Sequence, residues 1–143
     1  LDKENDNSDK FKMTIWKVDT MTTRYGEDKK RYELMINQAI KYFTKAEWYV
    51  KSYPIESPNG KPDPIGSHIP EIWAKKDDKV IIMAVETCKS IDTEDAKFRF
   101  REFSRAKGVS FHVATPKDCK FKAQEMAEKW NTPLEKIWTF SKY

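Results

Sequence analysis

At 143 residues the chain suits one domain with one buried core. Charged residues make up 35% of it, and 27 Lys+Arg against 23 Asp+Glu leave a net charge of +4, which permits an anionic partner without demanding one. No apolar run reaches the roughly eighteen residues of a membrane span and no signal-peptide pattern is present, which predicts a soluble, intracellular (cytoplasmic) protein. Cys88 and Cys119 are too few for a disulfide framework and lack metal-ligand spacing, so both are expected as reduced thiols.

Residues 1–10 are polar and predict a disordered tail, leaving one domain over 11–143. A short strand is expected over 12–20, where Met13, Ile15 and Val18 supply the apolar positions. Over 27–45, Tyr32, Met35, Ile36, Ala39, Ile40 and Phe43 recur at spacings of three and four, the stripe of an amphipathic helix. Residues 48–54 read as a short strand, and the Pro- and Gly-rich stretch 56–67 as a loop.

A β-hairpin is expected next, over 69–90, with Lys76, Asp77, Asp78 and Lys79 at its tip. Its second arm, Val80 to Val85, shows no polar alternation, as befits a central strand buried on both faces. A helix capped by Asp92 follows, running through Phe98, Phe100 and Phe103 to Gly108. Residues 109–114 form a further strand, and Thr115-Pro116 starts a helix burying Phe121, Ala123, Met126, Ala127 and Trp130. Thr132 to Glu135 repeat the cap signal before a last short element that ends at Trp138 and Phe140. A buried strand, a helix and another strand imply a right-handed βαβ crossover. The fold class is therefore α/β, with a mixed central β-sheet flanked by helices.

The open end of the hairpin carries the chemistry. If Asp77 and Asp78 form a two-residue turn, residues whose numbers sum to 155 face each other, and Glu71, Ala84 and Glu86 share one face of the sheet. The two carboxylates become diagonal neighbours, about 7–8 Å apart at the backbone and within reach of a shared divalent cation. Such an ion polarises a phosphodiester and activates a water. The bland alternative is a pair of solvated acids at strand ends, balanced by Lys75, Lys79 or Lys89.

Pro70-Glu71, followed by the apolar arm and Glu86-Thr87-Cys88-Lys89, resembles the PD-(D/E)xK nuclease superfamily. The helix, hairpin, helix and strand come in the order of its restriction-endonuclease-like core. The resemblance implies a Mg²⁺- or Mn²⁺-dependent nuclease in which Glu71 and Glu86 hold the metal and Lys89 assists at the phosphate. Glu33 on the first helix corresponds to a further acid of many members. Two residues after Glu86, where that motif has its lysine, stands Cys88; Lys89 needs a bulge to reach the acids' face. The alternative is a catalytically inactive module on the same fold, binding nucleic acid or a protein.

Lys97, Arg101 and Arg105 repeat every four residues, a cationic row suited to a phosphate backbone, with Arg99 and Lys107 to its sides. The expected partner is nucleic acid, DNA in the first instance, with a homodimer compatible and no membrane. His68, just before the hairpin, is a candidate ligand or general base against the plainer reading of a polar loop histidine. Cys88 is a candidate reactive thiol beside the acids.

Overall fold

The computed structural model describes residues 24–140, so the polar tail and the strand expected over 12–20 lie outside the described residues. The elements are α1 (Gly26–Lys45), β1 (Tyr49–Ser52), β2 (Ile72–Lys76), β3 (Lys79–Val85), α2 (Glu94–Ser104), β4 (Ser110–Ala114), α3 (Lys120–Lys129) and β5 (Lys136–Trp138). The strands form one five-stranded sheet in sequence order, β1-β2-β3-β4-β5. β1, β2 and β3 pair antiparallel, whereas β3 with β4 and β4 with β5 pair parallel. The fold is thus α/β, a mixed sheet with helices on both faces.

The expected hairpin register holds. Ile72 pairs with Met83 and Lys76 with Lys79, so the turn is Asp77-Asp78. Asp77 adopts φ 56, a left-handed conformation that aspartate accepts more readily than most residues. β3 lies at the centre of the sheet, and Ile82 to Val85 are fully buried.

Alternation along the strands sorts the core into two layers. Val50, Ile72, Ala74, Ile81, Met83 and Val85 pack beneath the apolar stripe of α1. On the opposite face Ile82, Ala84, Phe111 and Val113 meet Ala96, Phe100 and Phe103 of α2 and Ala123, Met126 and Ala127 of α3. Phe100 centres this second layer, with edge-to-face contacts to Phe111 and Trp130 at ring separations of 5.3 and 5.4 Å.

Several local expectations need correction. The cap of α2 is Thr93, whose side chain accepts from the Ala96 amide, rather than Asp92; the helix ends at Ser104. Thr115 caps nothing: its amide donates to the Trp138 carbonyl, because β5 lies alongside, and a 3-10 turn (Lys117–Cys119) precedes α3. Phe121 is 80% exposed and Phe98 lies half out. In α3 the buried set is Ala123, Met126 and Ala127, with Trp130 at the C-cap, and Phe121 falls off that stripe. The last short element is an edge strand, Lys136–Trp138.

The reduced-thiol expectation is also overturned, because Cys88 and Cys119 form a disulfide with a Cα–Cα distance of 5.6 Å. Spacing rules read near neighbours in sequence, and these two stand 31 apart. Parallel pairing of Val85 with Ala114 aligns the ends of β3 and β4, so the turns just beyond both strands meet. None of the described helices is long and apolar enough to cross a membrane.

The two phenylalanines set a direct comparison. Phe100→Ala should lower the unfolding free energy in urea by about 3–5 kcal/mol, and Phe121→Ala should change it by less than about 0.5 kcal/mol. Equal losses would contradict the layer assignment.

Candidate functional site

Glu71 immediately precedes β2 and Glu86 immediately follows β3, so the hairpin brings both acids to the same end of the sheet. Both are buried, at 4% and 1% exposure. The site is closed from two layers. From α2, Arg99 sends its guanidinium between the acids: Nη1 donates to Glu86 Oε2 at 2.9 Å, and Nη2 donates to Glu71 Oε1. From α1, the Tyr32 hydroxyl donates to Glu71 Oε2 at 2.7 Å.

Every carboxylate oxygen of the pair has a donor. Besides Arg99, Glu71 Oε1 accepts from the Val85 amide at 2.9 Å, so the side chain takes up a backbone N–H at the end of the hairpin ladder. Glu86 Oε1 accepts from Ser90 Oγ at 2.5 Å. Ser90 is placed by the turn after β3, where its hydroxyl also accepts from the Thr87 amide. Arg24 completes the wall, its guanidinium 3.8 Å above the Tyr32 ring, 4.0 Å from Glu86 and 3.3 Å from Thr87 Oγ1.

Burial and charge set the protonation of this cluster. Burial pushes the Glu86 carboxyl up to about 7, opposed by the Arg99 guanidinium and helped by Glu71. Burial and then Glu71 raise the Tyr32 phenol, keeping it a donor. Burial works against the charge on Arg99, but Glu71 and Glu86 outweigh it, so the guanidinium stays charged.

The arrangement does not fit a hard divalent cation. Mg²⁺ needs open oxygen lone pairs and room for several waters, whereas the donors on these four oxygens are protein groups and the space between them holds a guanidinium. Lys89 sits in the turn that follows Glu86, exposed, and makes none of the site's bonds. The strand does not bulge to turn it inward. Cys88, also in that turn, is committed to Cys119.

The other expected residues lie elsewhere. The Glu33 carboxylate is 3.9 Å from Lys29, on the solvent side of α1. His68 is buried against α2, its Nδ1 2.5 Å from Glu102 Oε1 and its Nε2 3.8 Å from Asp95 Oδ1. Asp95, and then Glu102, raise its pKa above the ordinary 6.5 against the opposing effect of burial. An acid at each nitrogen favours the protonated imidazole and occupies both ring nitrogens. Glu102 is lowered despite some desolvation, through hydrogen bonds from His68 and Ser67. Gly66, at φ 65, makes this clamp possible, since a β-carbon there would collide with the Glu102 carboxylate. The clamp ties the Pro- and Gly-rich loop to the helix that carries Arg99.

The site also holds Arg99, Tyr32, Ser90 and Arg24, none of which belongs to the nuclease motif. For Arg99 a signal existed: Ala96, Arg99, Phe100 and Phe103 follow the three-four spacing of the buried face, so an arginine there demanded buried acids. Tyr32 belongs to the apolar stripe of α1, and its burial there gives no sign of the hydroxyl's role. Arg24 and Ser90 carry no pattern beyond their neighbours.

Arg99→Met removes the guanidinium that lies between two buried acids and should destabilise the chain by about 3–5 kcal/mol. A raised folded pKa means that the Glu86 contribution is fully present below the ordinary 4.5 and lost as pH rises through about 7. The variant's deficit should therefore shrink as pH falls through about 7, where Glu86 takes up a proton; urea titrations above and below that pH check this, and a deficit independent of pH counts against it. For the clamp, stability is fully present below the ordinary 6.5 of His68 and lost as pH rises through its raised value, while the Glu102 share is lost as pH falls below 4.5. An NMR titration should place the His68 ring above 6.5, and Glu102→Gln should bring it down; an unchanged midpoint would remove Glu102 from the clamp.

No family model matches the chain, and neither a curated protein nor a solved structure matches it.

Proposed function

We propose that the chain is a catalytically silent α/β module, built on a restriction-endonuclease-like core, that binds nucleic acid. The observation that carries this reading is the Arg99 guanidinium lying between Glu71 and Glu86, where a nuclease of the resembled superfamily holds its metal. The order α1, antiparallel β1-β2-β3, α2 and a β4 parallel to β3 supports the core assignment. An arginine supplies charge compensation without exchange, so it keeps the end of the sheet closed and leaves no hydrolytic function.

Binding rests on α2. Lys97 and Arg101 are half-buried and Arg105 is exposed, and among the described residues no ion pair neutralises them. Cations four apart on a helix stand about 6 Å apart, a spacing that follows a phosphate strand. DNA is the first partner to test.

One observation favours the competing reading of a Mg²⁺-dependent endonuclease using Glu71, Glu86 and Lys89: the hairpin does bring both acids to one place. That reading requires Arg99 to leave.

Fluorescence anisotropy with duplex DNA tests the module. Affinity should fall steeply with salt, and replacing Arg101 and Arg105 by Gln should weaken binding and reduce the salt slope by about one per cation removed. Incubation with Mg²⁺ or Mn²⁺ should leave the DNA intact. Absence of DNA binding would sink the module; metal-dependent cleavage that disappears in Glu86→Ala would establish the endonuclease instead.

A further inference from the structure

Just beyond the acid pair, the turns after β3 and β4 bring two sulfurs and a carboxylate together. The Sγ atoms of Cys88 and Cys119 and a carboxylate oxygen of Asp118 all lie within 4.8 Å of one another. Asp118 Oδ1 is 3.8 Å from Cys88 Sγ. Two of the three residues, Cys88 and Asp118, are exposed, so the cluster is open to solvent, while Cys119 is buried beneath them. From these placements we infer that reduction of the Cys88–Cys119 disulfide creates a Zn²⁺ site with Cys88, Cys119 and Asp118 as ligands.

The chemistry balances. A dithiol reductant supplies two electrons and two protons, the S–S bond breaks to give two thiols, and the reductant leaves as its own disulfide. Zn²⁺ then displaces both thiol protons and binds as the dithiolate, with Asp118 as third ligand and water in the fourth position.

Geometry and local charge support this assignment. Zn–S bonds of about 2.3 Å in a tetrahedron set the sulfurs roughly 3.8 Å apart. With the Cα atoms at 5.6 Å, rotation of the exposed Cys88 side chain provides that separation without moving a strand. Cys119 is the N-cap of α3, where the aligned amides of the first turn stabilise a thiolate. Two sulfurs and one carboxylate favour Zn²⁺ over Mg²⁺ or Ca²⁺, which take oxygen ligands. The register of β3 against β4 aligns the two strand ends and so brings both turns together.

The test uses the full chain, oxidised or reduced with a phosphine, and Co²⁺ as a spectroscopic stand-in for Zn²⁺. The reduced chain should take up one Co²⁺ with a thiolate-to-metal charge-transfer band, and Zn²⁺ should displace it. The oxidised chain should show no band. Cys88→Ser, at an exposed position, should lose the band with its circular dichroism unchanged, and Asp118→Asn should weaken Zn²⁺ binding at least ~10-fold, the scale of losses around metal sites. A reduced chain that keeps its circular dichroism but gives no band overturns the proposal, as does one that unfolds on reduction or an oxidised chain that binds equally well. An Asp118→Asn variant with undiminished affinity removes Asp118 from the ligand set. None of these outcomes depends on whether the chain binds nucleic acid.

Discussion

One guanidinium holds the end of the sheet together. Two carboxylates are buried where the β2–β3 hairpin opens, and their mutual repulsion and loss of hydration would drive the hairpin ends apart. Arg99 opposes both effects with a hydrogen bond to each acid. Because Arg99 belongs to α2, the same interaction fixes that helix to the hairpin at a point where apolar packing gives way to polar side chains. Tyr32 extends the connection to α1 on the other face of the sheet, so the acids join all three layers.

The cluster also shows why charge count is a poor guide to chemistry. Two acids on one sheet face, with a basic helix above them, describe a metal site and a closed ion-pair network equally well. What separates them is the number of oxygens left free. Here each oxygen accepts from protein: Val85, Tyr32, Ser90 and Arg99 between them supply the donors. A network satisfied in this way is specific in geometry, since Glu71 Oε2 and both oxygens of Glu86 each depend on a single donor.

Much of the fold was legible because it depends on short-range periodicity. The stripe of α1, the uninterrupted apolar run of β3 and the two-residue Asp77-Asp78 turn each reveal themselves within a few residues, and the hairpin register followed from counting. The proximity of Glu71 and Glu86 was readable for the same reason. What stayed hidden depends on contacts between distant segments. β5 is a strand only because β4 offers it a parallel edge, and its three residues carry no pattern of their own. The Cys88–Cys119 pairing depends on how a crossover aligns two strand ends. Arg99 lies between these cases: its helical position marks it as buried, but its charge sets it beside the cationic row of Lys97, Arg101 and Arg105.

The disulfide has a topological consequence. It joins the turn after β3 to the turn before α3, so the backbone from Cys88 to Cys119 forms a covalent ring that contains all of α2 and β4. A ring of that size removes on the order of 3–4 kcal/mol of chain entropy from the unfolded ensemble. Arg99 lies inside the ring and Glu86 only two residues outside it. The guanidinium thus sits within the ring and one of its acids at the ring's edge, while Glu71 is the member recruited from outside the crosslinked segment.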